Sequence, residues 1–404
     1  MRETTVMSGK RFQGERLKSA RQLRGLTLTA LAEQTGISKQ SISQYESGET
    51  RPEHERGFRL ASALNVPYDF FLSEDTYKTE TPTTYFRSLA SSTKLARSKE
   101  SIKLEYVAKI YEALEQYIDF PLLNLPAVNY SGGYNIYDDS DCEKMYAELE
   151  EIALMVRKHW QLGLEPIRDL QYLLESNGIV VTGFETDTES IDAFSQRTRI
   201  YGEQICFIAV DQGRKPEGRI RFDLAHELAH LLIHPWSDNL DLLSREEFKT
   251  REFEANVFAS AFLLPRESFG KDVQAYPTDL QYYLWLKKKW RSSIQSMIYR
   301  ANQLHYISNS QFQYLMRQVS KNGWRKAEPG DTPFFLGENI FQGAIDLLLK
   351  EQVLSMNALL NLFSDYGAGL FPDELEEILH LNKGTLEPEG VATIISLRNS
   401  SNKN

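Results

Sequence analysis

Cysteine is scarce in this chain: only Cys142 and Cys206 among 404 residues. Two thiols cannot build a disulfide framework or a four-thiolate zinc site, and they fit a reducing compartment. No apolar run approaches the roughly 18 residues that a transmembrane helix needs. The first residues, MRETTVMSGKRFQGERLK, lack the apolar stretch of a secretory signal. These absences lead us to expect a cytoplasmic protein with no membrane partner. Internal repeats and low-complexity blocks are missing too. Net positive charge is also lacking, with 46 Lys and Arg against 56 Asp and Glu, net −10. On that figure alone the chain is a poor candidate for nucleic-acid binding.

The charge is unevenly spread, however. Residues 1–72 hold 11 Lys and Arg and 8 Asp and Glu, net +3, which leaves −13 for the remainder. Hydrophobic residues make up 41% of the chain, so wholesale disorder is excluded. The length suits two to four domains, and the pattern divides four ways: a compact helical segment (11–73), a helical connector (74–140), a mixed segment (141–330) and a helical C-terminal region (331–404). Pro82, among Thr79, Thr81, Thr83 and Thr84, breaks the chain after the first segment. In the connector, Leu104, Val107, Tyr111 and Leu114 follow the spacing of one helical face. Within the mixed segment, 179–182 and 205–210 read as strands, the second being a candidate to hold an extended peptide by edge pairing. The expected fold class is mainly α with a small β-sheet.

The basic segment has the layout of a helix-turn-helix. Leu17, Ala20 and Leu23 mark a first amphipathic helix, with Arg16, Lys18, Arg21 and Arg24 on its outer side, and Gly25 ends it. Thr27 can cap a second helix, and Ser38 can cap a third running from Lys39 to Glu46. On that third helix Ile42 and Tyr45 turn inward. Lys39, Gln40, Ser43 and Gln44 face outward near the N-terminal end, where a recognition helix meets base edges. Thr27, Ser38 and Arg51 are placed to help contact the DNA. The run LTALAEQTGISKQSISQYESG resembles the Xre/Cro-type repressor domains. That resemblance implies binding to a double-stranded operator as a homodimer, with an affinity that falls with salt.

Three of the seven histidines fall close together in RFDLAHELAHLLIHPW: His226, His230 and His234. The segment is helical and almost wholly apolar. Histidines four apart stack on one helix face and can share a metal ion, with Glu227 beside them. An unpaired Glu and two His on such a helix would cost several kcal/mol, and metal coordination removes that cost. Two imidazoles suit zinc, and zinc acidifies a water whose proton Glu227 can take as general base. His234 is turned away by each further step along the helix and precedes Pro235, so its expected job is local. The third ligand is expected from REFEANVFASAFLLP. There Glu254 stands among apolar residues, while Glu252 reads as solvated.

HELAH followed about 25 residues later by E-A-N-x-F-A and a Leu-Leu-Pro end resembles the ImmA/IrrE family of metallopeptidases. The likeness runs on through WLKKKWRSSIQSMIYRANQLHYIS to GWRKAEP. It implies an α+β, zincin-like domain with one zinc held by His226, His230 and Glu254 and with Glu227 as catalytic base. It further implies cleavage of a repressor-type or toxin protein, a partner or the chain itself, in a mobile-element, stress or toxin–antitoxin setting. The rival expectation is a non-cleaving transcription factor, or an antitoxin, whose zinc domain senses a ligand or partner. The basic stretch 285–304 allows two readings: a second DNA-contacting helix pair, or aromatic packing with solvated lysines.

Overall fold

The computed structural model describes residues 11–72, 84–86, 94–184, 192–200, 203–211, 213, 215–235 and 243–387. The break at Pro82 and the polar C-terminal tail lie outside them. Helices α1 (Gly14–Leu23), α2 (Leu28–Thr35), α3 (Lys39–Glu46) and α4 (His54–Ala63) form the head, closed by a 3-10 turn at Tyr68–Leu72. Local chemistry sets their ends. Gly25 takes φ +60° just past α1, a conformation that costs glycine little. Thr27 and Ser38 accept from the backbone N–H groups of Ala30 and Ser41, each at 3.1 Å, and so start α2 and α3. Leu17, Leu31, Ile42, Leu60, Leu64 and Phe70 fill the centre.

The arginines of α1 depart from the expected outer face. Arg21 donates to both carboxylate oxygens of Glu46, at 2.6 and 2.8 Å, and braces α1 against α3. Buried Arg16 donates to the Gly367 carbonyl at 2.7 Å, and Arg24 pairs with Glu374. Arg16 and Arg24 thus reach from the head to the C-terminal region, and all three guanidinium groups are hydrogen-bonded or paired within the protein.

Next come β1 (Thr84–Phe86), α5 (Lys94–Glu115), α6 (Asp139–His159), α7 (Leu170–Ser176), β2 (Ile179–Phe184), β3 (Ala193–Ile200) and β4 (Glu203–Asp211). They are followed by α8 (Glu217–Ile233), α9 (Arg245–Leu263), α10 (Arg266–Val273), α11 (Leu280–Trp290), α12 (Ile294–Gln303) and α13 (Asn309–Lys321). Helices α14 (Ile340–Lys350), α15 (Met356–Asp365) and α16 (Pro372–Leu379) complete the described chain. The expectation of a mainly helical protein with a small sheet holds.

The four strands lie in the order β1-β3-β4-β2, with β2 parallel to β4 and the other pairs antiparallel. Strand β4 is therefore bonded along both edges, which corrects the expectation that it offers an edge to a peptide. Both faces of the sheet are covered, and β4 is apolar on both. Cys206, Ile208 and Val210 join a core made with α6 to α13, while Ile205, Phe207 and Ala209 join a second core. That second core is continuous through the head, α5 and α14 to α16. The period-2 alternation of a strand feeds each residue to one core or the other.

The stretch 285–304 packs inward. Trp290, Ile294, Ile298 and Ala301 are buried, although Trp285 stays exposed. Lys287 bonds Glu328 at 2.8 Å, Lys289 pairs with Asp272 at 2.6 Å and Arg291 pairs with Glu217. Those cations are committed to neighbouring carboxylates rather than presented to DNA.

Glu175 on α7 joins the two halves, its carboxylate accepting from the Ile340 backbone at 3.4 Å. Burial pushes its pKa from 4.5 up to about 8. The folded protein therefore holds a proton that the unfolded chain releases. This costs nothing below the unfolded value of 4.5 and grows as pH rises to about 8. Relative to the parent, Glu175→Gln should raise Tm at pH 8 and not at pH 4.5. A Tm difference that ignores pH would refute a neutral Glu175.

Candidate metal centre

Helix α8 passes beneath β3 and against α9, and its polar residues point into the space between them. His226, Glu227 and His230 are fully buried. The Nε2 atoms of His226 and His230 face one another at 3.0 Å, and the Glu252 carboxylate lies 3.4 Å from the first and 3.3 Å from the second. Three ligands at about 2.0–2.1 Å from a tetrahedral centre stand about 3.3 Å apart, close to this triangle. The donor atoms all fall within 4.8 Å of one another. Oε1 of Glu252 is buried and accepts no hydrogen bond among the described residues. Burial alone would raise the Glu252 pKa, but the two imidazoles hold it below the ordinary carboxylate range. The donor set and its spacing fit a zinc ion.

Glu254 is elsewhere. Its carboxylate accepts from the Tyr130 hydroxyl at 2.7 Å and meets His234 Nε2 at 3.0 Å. The expected assignment of Glu254 to the metal is therefore corrected to Glu252. The physical reason is rotation about α9: Glu252 and Asn256, four residues apart, share the face turned toward His226. Asn256 Oδ1 lies 3.1 Å from His226 Nδ1. That i, i+4 pair was the available sequence signal.

A line of hydrogen bonds stands behind the ligands. His230 Nδ1 lies 2.8 Å from His234 Nδ1, and His234 leads on to Glu254 and Tyr130. With the His230 Nε2 lone pair turned to the metal position, its Nδ1–H donates to His234, whose Nε2–H donates to Glu254. Such partners fix ring orientation and tautomer. Burial lowers the His234 pKa to about 4, so it is neutral at physiological pH, as the relay requires. Burial first, then the Glu254 charge, raises the Tyr130 pKa far above its ordinary value and keeps the phenol a donor. The local role expected of His234 takes this form.

Glu227 sits on the sheet side. Its Oε2 accepts from the Ser195 hydroxyl of β3 at 2.7 Å. Neither Ser195 nor Tyr130 carries a local sequence signal, because their partners lie 32 and 124 residues away.

In the head, Lys39, Gln40, Ser43 and Arg51 are exposed and Gln44 is half-buried, all on or just after α3. Thr27 and Ser38 serve as the caps that start α2 and α3.

Two segments of the chain match known families. Residues 17–71 match the helix-turn-helix family, and residues 174–302 match the peptidase family described as IrrE N-terminal-like domain. Over 75 residues the chain is 40% identical to the HTH-type transcriptional regulator SutR of Escherichia coli (strain K12), covering 19% of this chain and 41% of that protein. Over 61 residues it is 38% identical to an uncharacterized transcriptional regulator in the ATPase CF(0) region of Rhodospirillum rubrum, covering 15% of this chain and 56% of that protein. The match thus spans about half the length of these relatives. The chain joins a helix-turn-helix domain to an IrrE N-terminal-like peptidase domain on one polypeptide.

Proposed function

We propose that this protein is a cytoplasmic, DNA-binding transcriptional regulator with a zinc-dependent endopeptidase centre. In this reading it cleaves a repressor-type protein, a partner or itself, to switch transcription. The observation that carries it is the buried triangle of His226, His230 and Glu252 with Glu227 on the same helix, in a chain whose head offers a recognition helix. Zinc bound there would polarise the scissile carbonyl and acidify water. Glu227 takes the proton of the attacking water and hands it to the leaving amine. Ser195 holds the Glu227 carboxylate in place, and the His234–Glu254–Tyr130 line keeps His230 oriented.

In the head, Lys39, Gln40, Ser43 and Gln44 read base edges in the major groove, and Thr27, Ser38 and Arg51 approach phosphates. Binding as a homodimer on two half-sites suits this type of head. Lys39→Ala combined with Gln44→Ala should weaken operator binding by about 30-fold or more, two base contacts at about 1–3 kcal/mol each, and leave metal content unchanged. A gel-shift titration at fixed salt checks this, and unchanged binding would discredit the recognition face.

The whole reading is tested in cells. A reporter driven by the chain's own promoter should switch with the wild type and stay fixed with Glu227→Gln. Candidate repressors and the chain itself are followed by length on a gel. Switching by both proteins with no shortened product would leave a regulator that senses rather than cuts.

A further inference from the structure

Two cavities flank the metal ligands along α8. One, of about 770 Å³, is lined by Phe222 and Asn256, one turn ahead of His226 and directly beside it. The other, of about 830 Å³, is lined by His234 and Glu254, behind His230. Strand β3 runs alongside from one to the other. Asp192, just before it, lines the first cavity, Arg197 lines the second, and Ser195 lies between, bonded to Glu227. The edge of β3 away from β4 is thus where an extended peptide could pair by main-chain hydrogen bonds and pass the ligands with a side-chain cavity on each side.

That edge is taken. Strand β1 pairs with it antiparallel, Thr84 opposite Gln196, Tyr85 opposite Ser195 and Phe86 opposite Phe194. The backbone of Tyr85 stands across from the residue that holds the proposed base.

We propose that β1 lies in the substrate track, so that the connector between head and body competes in cis with any protein substrate for the edge of β3. This rests on the peptidase reading and adds the regulation of the same centre. Among the described residues β1 pairs with β3 over three positions, and such a limited pairing suits an occupant that yields to a better-matched peptide. Because β1 belongs to the connector, whatever draws the connector off the sheet opens the track.

The test uses the full chain carrying Glu227→Gln, loaded with zinc, and a fluorescent peptide of the connector sequence TPTTYFRSLA, residues 81–90. In one variant Thr84, Tyr85 and Phe86 are each changed to Gly, which preserves length and weakens the pairing. In another, Thr84→Cys and Gln196→Cys lock β1 in place in a Cys142→Ser background. Antiparallel partners have Cα atoms about 4.5–5.5 Å apart, within disulfide reach. The glycine variant should bind the peptide at least about 10-fold more tightly than its parent, a difference near 1.4 kcal/mol. The locked variant should not bind until dithiothreitol is added. Equal affinity across all these proteins, or no binding to the glycine variant, overturns the proposal. Hydrolysis by the corresponding chains with Glu227 intact separates the two ideas. Cleavage that ignores the lock sinks this proposal alone. Lock-dependent binding with no cleavage of any peptide sinks the peptidase reading and leaves the occupied edge standing.

Discussion

Glu252→Gln loses zinc, with affinity reduced well over 100-fold, whereas Glu254→Gln keeps the ion with affinity reduced about 10- to 100-fold, as for an outer partner. The contrast follows from where two carboxylates on one helix point. Glu252 meets both Nε2 atoms, at 3.4 and 3.3 Å. Its replacement leaves two imidazoles and a neutral amide, a much poorer set for a dication. Glu254 acts through His234, so its loss loosens the orientation of His230 and removes no ligand. Metal analysis of purified variants after dialysis against a graded chelator reads both affinities. His230→Ala is the control that should match Glu252→Gln. Zinc kept by Glu252→Gln and lost by Glu254→Gln would restore the original expectation and require α9 to turn.

Peptide hydrolysis by the zinc-loaded chain should fall about 10²- to 10⁴-fold in Glu227→Gln, the usual range for removing a general base. Zinc content should not change, since Glu227 lies outside the ligand triangle. Gln has nearly the shape of Glu and still offers a carbonyl oxygen to the Ser195 hydroxyl, so the local packing is kept and only the proton-accepting capacity disappears. Ser195→Ala tests the support: it should cost less, because the base remains but is held less firmly. Single-turnover cleavage of a labelled peptide, with zinc measured on the same samples, separates loss of chemistry from loss of metal. Equal turnover by Glu227→Gln and the parent would falsify the base assignment.

The parts of this molecule that local chemistry determines could be read from the chain. The caps Thr27 and Ser38, Gly25 and the bounds of α3 depend on neighbours within a few residues. The His226–His230 pairing depends on one helical turn. Legibility ends where a side chain's partner is distant. Whether Glu252 or Glu254 meets the histidines depends on how α9 is rotated against α8, and both residues have apolar neighbours in sequence. Arg16 looks like surface charge until Gly367, 351 residues away, caps it. The strand at 205–210 was recognisable by its apolar run, yet its central place in the sheet depends on β2 and β3. Ser195 became part of the centre only through the crossing of β3 over α8.

The continuous core that runs through the head bears on how such chains can be recombined. Tyr106 of α5 lies against Phe70 and meets Ser19 at 3.0 Å, while Arg16 and Arg24 reach residues of the C-terminal region. A head borrowed from another regulator would have to bring matching arginines and a matching Phe70, or leave α5 and α16 with bare apolar flanks. A head cut from this chain would lose part of its interior. The head, α5 and the C-terminal helices therefore behave as one piece of architecture, and an operator preference transplanted by grafting should be carried on α3 alone, not on the whole head.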